Sequence, residues 1–141
     1  MNFYIILMNL ISLICEPFVL ISFILFLYSI HYIKFSQIII FLFGFCVVMV
    51  IKNIIKRPRP YTLYGNDSYN WIKTDEYSFP SGHTFCAFMT YFILKHNNII
   101  SNKFILIPIL VGFSRIALNV HYISDIVGGA MIAWINYKLL L

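Results

Sequence analysis

An all-α bundle that crosses a membrane several times is the fold class this sequence predicts, on three observations. Hydrophobic residues make up 61% of the 141 and charged residues 11%, whereas a soluble domain carries roughly 45–50% and about 25%. That is too little polar surface to cover a water-soluble sphere of one domain's size, a difficulty that lipid as the outer solvent removes. The apolar residues also fall into six runs divided by short polar breaks. Finally, the runs lack the alternation of a barrel strand. Helices, which satisfy their own backbone hydrogen bonds, are then what a spanning segment can be.

The first run covers residues 1–15 and stops at Glu16-Pro17; the second covers 18–33 and ends at Lys34. The third, 38–55, is broken by Lys56-Arg57-Pro58-Arg59-Pro60, where two prolines remove donors and crowd the preceding turn. Residues 61–79 are polar and read as a loop, with a short interfacial helix over 69–72. Tyr64, Tyr69, Trp71 and Tyr77 suit a headgroup boundary. The last three runs cover 84–94, 104–118 and 123–140. A run of fourteen or fifteen residues rises only about 22 Å, against the ~20 residues of an average span. The first and fourth are therefore expected to tilt, to thin the bilayer or to extend into their flanks.

Glu16-Pro17 reads either as a loop between two helices, giving six transmembrane helices, or as a kink in one, giving five. Six is favoured, because residues 1–33 are too long for one span. Six crossings put Lys34, Lys95, Lys103, Lys138 and both termini on one side, and residues 52–60, the long loop, 80–83 and 115–125 on the other. The whole chain, 1–141, reads as a single membrane-embedded domain.

The formal net charge is +5, and the excess is clustered near two motifs. That points to an anionic substrate and anionic headgroups, not to nucleic acid. Cys15, Cys46 and Cys86 are odd in number, match no zinc spacing and read as small buried hydrophobes. No Asp/Glu/His cluster resembles a metal site, so neither metal nor cofactor is expected. No Lys or Arg precedes Lys34 and no small-residue cleavage site occurs, so the N-terminus is read as part of the mature fold.

Three clusters fall at corresponding helix ends. Lys52 lies in the last turn of an apolar run, with Arg59-Pro60 following it. Alone this reads as a snorkelling lysine beside a basic flank; functionally it is a point charge and a planar fork for phosphate oxygens. Pro80-Ser81-Gly82-His83 opens the fourth run. Ser81 suits an N-cap, Gly82 lets a ligand approach the backbone, and a helix N-terminus favours an anion. Ser114-Arg115 precedes His121, and Asp125 stands four residues beyond His121, on the same face of a helix. A carboxylate there can fix the imidazole tautomer; the plainer reading is an Arg115–Asp125 ion pair closing two helix ends. His31 and His96 read as boundary residues near the opposite face, and Lys56, Arg57 and Lys73 as further positive charge near the site.

Written out, the clusters are Lys-x6-Arg-Pro, Pro-Ser-Gly-His and Ser-Arg-x5-His-x3-Asp, in that order. In this the chain resembles the type 2 phosphatidic acid phosphatase superfamily, which also includes the vanadium haloperoxidases. Every fixed position is filled, by Lys52, Arg59, Pro60, Pro80, Ser81, Gly82, His83, Ser114, Arg115, His121 and Asp125. The resemblance spans residues 52–125 and implies a six-helix membrane core. It implies His121 as nucleophile forming a phosphohistidine, Asp125 orienting it, and His83 as general acid. Lys52, Arg59, Ser81, Gly82 and Arg115 would hold the phosphoryl oxygens. The implied substrate is a lipid phosphate monoester or an isoprenoid diphosphate, hydrolysed without metal at an extracytoplasmic or lumenal face. Transfer of the phosphoryl group to a lipid acceptor, and a catalytically silent scaffold, are the competing readings.

Overall fold

The structure is a computed structural model that describes residues 2–63, 69–71 and 75–141. In chain order its helices are α1 (Phe3–Ile14), α2 (Pro17–Ser29), α3 (Phe35–Ile55), the single turn α4 (Pro60–Leu63), α5 (Gly82–His96), α6 (Leu106–Ala117) and α7 (Ile123–Lys138). A 3-10 turn, Asn102–Ile105, leads into α6, and no strand occurs among the described residues. The all-α bundle and its six long helices are as expected. The short interfacial helix is not formed over Tyr69–Trp71; Tyr64, Lys73 and the Ile72 end of that helix lie outside the described residues.

The bundle is built around α5, which packs against α2, α3, α6 and α7. Phe85, Met89 and Ile93 on α5 are fully enclosed, with Ile24, Phe41, Val48 and Ala133 closing around them. The apolar residues that α5 cannot cover face outward: Phe3, Ile14, Phe18, Ile54, Leu106, Ile123 and Trp134 are all exposed. In water such an exterior would be untenable, and in hydrocarbon it is the required surface. By length and composition alone one segment among the described residues, running from α3, is long and apolar enough to cross a membrane, and the α1–α2 pair qualifies when taken together.

Glu16 and Pro17 start α2 by ordinary capping chemistry. The Glu16 carboxylate accepts the Phe18 N–H at 2.7 Å, and Pro17 at the first helical position has no N–H to lose. The consequence is a bend of 42°, not a reversal. Met8 packs on Leu118 and Val120 near the loop end of the bundle, and Cys15 on Ala87 and Val111 about two turns further in. Ile24, Leu27 and Ile33 then reach Ile38 and Ile93 at the far end. α1 and α2 thus traverse the bundle once, in one direction. The N-terminus lies at the end opposite Lys34, as the reading of Glu16-Pro17 as a kink has it and not beside it as the favoured six-crossing arrangement has it, because contacts with the other helices, not the Glu-Pro pair, set the path of the chain.

Two local features position the site. α7 approaches α5 closely at Gly129, where a Cβ would lie 2.5 Å from the Ser81 carbonyl oxygen. Only glycine permits this spacing, and it brings the start of α7 against the start of α5. The Ser81 N–H then donates to the Asp125 carbonyl at 3.0 Å. At the end of α3, Lys56 takes a left-handed conformation with φ 49°, which stops the helix one turn after Lys52 and sends Arg57–Pro60 back across the helix ends.

Candidate active site

The loop end of the bundle holds a cavity of about 270 Å³ lined by Lys52, Arg59, Gly82, His83, Arg115 and His121, together with Glu16, Asn70, Asp75 and the apolar Pro17, Phe18, Phe45 and Met49. Six of the eight residues singled out from the sequence as catalytic or phosphate-binding line this one space, although they come from three separate clusters of the chain. Asp125 stands directly behind it. Ser81 does not line it: its hydroxyl is fully buried and accepts from the Thr84 N–H at 3.4 Å and the Thr84 hydroxyl at 3.0 Å. Ser81 is the N-cap that the sequence suggests, and its contribution to the cavity is to set the first turn of α5 with Gly82 and His83 at the wall.

His121 lies between α6 and α7, only 3% exposed. Its Nδ1 is 3.3 Å from Asp125 Oδ2, and its Nε2 is 3.3 Å from Arg59 Nη1. With Nδ1–H donated to the carboxylate, Nε2 carries a lone pair toward the cavity and the Arg59 guanidinium. Burial lowers the His121 pKa to about 3; Asp125 opposes the shift, and Arg59, Arg115 and Lys52 add to it. The imidazole is therefore neutral across the physiological range.

Asp125 is held by three donors. Its Oδ2 accepts the Tyr122 N–H at 2.9 Å as well as His121, and its Oδ1 accepts from Arg57 Nη1 at 2.8 Å. Arg57 also donates to the Ser124 hydroxyl at 2.6 Å and lies 3.9 Å over the Tyr122 ring. The plainer expectation of an Arg115–Asp125 ion pair is thereby set aside: the partner of Asp125 is Arg57, which the sequence shows only as surplus positive charge. Arg115 turns the other way. It donates to the Ser12 hydroxyl on α1 and reaches Asn70 at 3.5 Å. Arg115 Nε and Nη2 and His83 Nε2 are buried with no hydrogen-bond partner among the described residues. Buried donors are rarely left so, and an anion in the cavity would satisfy them.

Residues 33–140 match the family model of the PAP2 superfamily. The chain belongs to the PAP2 superfamily. Over 92 residues it is 35% identical to phosphatidylglycerophosphatase B of Bacillus subtilis (strain 168), a stretch covering 57% of this chain and 42% of that relative, so the match spans less than half of the relative's length. The fold is shared with the transmembrane PAP2-type phosphatidylglycerolphosphate phosphatase from Bacillus subtilis, at a TM-score of 0.77 and 23% identity, covering 99% of this chain and 76% of that one. Aquifex aeolicus LpxE matches with a TM-score of 0.76 and 22% identity, covering 99% and 86%.

Around the PAP2 signature the structure adds residues that no spacing rule singles out. Asp75, from the long loop, pairs with Lys52 at 2.8 Å and with the Arg59 guanidinium. The pull of Lys52 and Arg59 outweighs the effect of partial burial and holds the Asp75 carboxyl below its usual range, whereas burial lowers the Arg59 pKa despite Asp75 beside it. On α1, Asn9 donates to the Tyr69 carbonyl and accepts the Trp71 N–H, each at 2.8 Å. Asn9 and Ser12, three residues apart in an apolar run, share one helix face; that pairing is the one sequence signal for this contact.

Proposed function

We propose that the protein hydrolyses a lipid phosphate monoester or diphosphate through a phosphohistidine on His121. The observation that carries this reading is the Nε2 edge of His121, oriented from behind by Asp125 and facing a cavity that Lys52, Arg59, Arg115 and His83 also line. Phosphoryl transfer requires little beyond positioning and charge stabilisation, and this arrangement supplies both.

In the first step the Nε2 lone pair of His121 attacks phosphorus in line, and the bond to the leaving oxygen breaks. His83 passes a proton to that oxygen; the negative charge of a bound phosphate favours the protonated imidazole that this requires. Asp125 holds the Nδ1–H and balances the positive charge that grows on the ring. Lys52, Arg59, Arg115 and the N–H groups at the start of α5 take up charge on the equatorial oxygens. In the second step His83 accepts a proton from water, the oxygen attacks phosphorus, and the P–N bond breaks to return neutral His121 and inorganic phosphate.

A lipid substrate is favoured by the cavity wall. Phe18, Phe45 and Met49 line one side, between α2 and α3, and Phe18 is largely exposed on the lipid-facing surface. An acyl or prenyl tail can lie along that side while its phosphate meets the cations. Lipid phosphatase names among the relatives agree with this, and the family resemblance favours an extracytoplasmic or lumenal site.

The test is phosphate release from a panel of lipid phosphates and diphosphates in detergent with excess EDTA, beside His121→Ala. Release that vanadate blocks and the variant lacks is expected. Release that needs a divalent metal, or that survives in His121→Ala, overturns the mechanism.

A further inference from the structure

Resting on the phosphatase reading, we propose that Asp75 is an affinity-setting residue: its carboxylate is an internal competitor for the two cations that receive the phosphoryl group. Asp75 Oδ2 is 2.8 Å from Lys52 Nζ, and Oδ1 is paired with Arg59 Nη2. Both cations line the cavity with His121, and so does Asp75. A carboxylate held by a lysine and an arginine uses the donors and the charge that a phosphate uses. Substrate and Asp75 cannot both have them.

The geometry lets the carboxylate leave without moving the chain. The Asp75 backbone carbonyl separately accepts from Arg59 Nε at 2.7 Å, so the backbone is pinned through a different atom. The Asp75 side chain is 45% exposed, while those of Lys52 and Arg59 are 6% and 2% exposed. Side-chain rotation toward solvent frees the Lys52 ammonium and the outer edge of the Arg59 guanidinium. The two cations stay where they are, Lys52 still donating to the Tyr77 carbonyl at 2.9 Å and Arg59 to the Val120 carbonyl at 2.8 Å.

The arrangement does two things. With no substrate bound, it keeps two buried cations compensated, which would otherwise be costly. After turnover it lets the carboxylate displace inorganic phosphate, so product leaves a site built to bind it. The cost is weaker binding of every phosphate, and selection for ligands that bring enough negative charge to outcompete a carboxylate.

The experiment compares native protein with Asp75→Asn and Asp75→Ala, measuring Kd for inorganic phosphate by calorimetry and product inhibition in the phosphatase assay. Internal competition predicts that both variants bind phosphate more tightly, by roughly ten- to hundredfold, the range of one charge-assisted hydrogen bond. Product inhibition should rise in parallel. If Asp75 instead braces Lys52 and Arg59 for the substrate, phosphate binds more weakly in both variants, and the proposal fails; unchanged affinity sinks it equally. The binding measurement needs no catalysis. Tighter phosphate binding in a protein that hydrolyses no lipid phosphate would keep the competitor and reject the phosphatase reading. Normal hydrolysis with unaltered affinity would do the reverse.

Discussion

The two ends of the bundle both carry positive charge, and they use it in opposite ways. At the loop end Lys52, Arg59 and Arg115 are 5%, 1% and 0% exposed, and each meets a partner from a distant part of the chain. At the other end Lys34, Lys95, Lys103 and Lys138 are all exposed. The buried polar contact there is modest: Gln37 accepts the Lys34 N–H at 2.9 Å and an Asn97 amide at 3.1 Å, tying α3 to the end of α5. Burying an ion costs several kcal/mol unless other groups compensate it. A chain that buries three cations together at one end, and leaves its lysines in the headgroup layer at the other, has concentrated its costly groups where the proposed phosphate chemistry would use them.

The largest break in this comparison comes from exchanging one charge at each end. On the proposed mechanism Arg59→Gln removes a donor to the phosphoryl group as well as the contact to His121 Nε2, and should lower kcat/KM by about 10²- to 10³-fold. Lys95→Gln removes an equal formal charge and should leave kcat/KM within about twofold, since exposed charges contribute little. Steady-state kinetics on the two variants measures the asymmetry. Comparable losses would mean that net charge, not the built site, drives substrate binding.

The sequence makes one side of this contrast readable and hides the other. Lys52, Arg59, His83, Arg115, His121 and Asp125 stand in short patterns at helix ends, where local rules about caps and i,i+4 faces apply. Burial is not local. Lys52 looks like any snorkelling lysine until the loop folds over it. Asp75, Asn9 and Ser12 act across 23, 60 and 103 positions of chain, and no periodicity links such residues. The path of α1 and α2 shows the same limit. Glu16-Pro17 marks the break in the sequence, but contacts of Met8, Cys15 and Ile24 with other helices settle which way the chain leaves it.

A second, smaller effect belongs to the loop end and is read through pH. In the unfolded chain His121 titrates near the ordinary value of about 6.5, and in the fold near about 3. Above the unfolded value both states are neutral and the group contributes nothing to pH dependence. Between the two values the unfolded chain takes up a proton that the folded chain refuses, so stability falls as pH falls, by at most about 1.4 kcal/mol per unit from this group. Asp75, held below its usual range, stays ionised through the upper part of that window. Thermal unfolding in detergent between pH 7 and pH 5 should show the decline, with a shallower slope in His121→Asn. Equal slopes would place the titrating group elsewhere.

The smallest effect sharpens the comparison most, because Arg57 belongs to neither regime. Its side chain is 34% exposed, like a membrane-flanking cation, yet it donates to the fully buried Asp125 at 2.8 Å. If it is only a flank, Arg57→Ala should act like Lys95→Gln. If it orients Asp125, loss of one charge-assisted hydrogen bond should lower kcat by about tenfold. KM should stay nearly constant, because Arg57 does not line the cavity and would not touch substrate. Arg57→Lys should recover part of the loss, since one ammonium can donate to the carboxylate and to Ser124, as Arg57 Nη1 does, but cannot keep the planar stacking on Tyr122. A KM change at constant kcat would instead make Arg57 a contributor to anion attraction at the cavity mouth. Exposure and partnership point in different directions at this residue, so its kinetics decide which of the two marks a working charge in this fold.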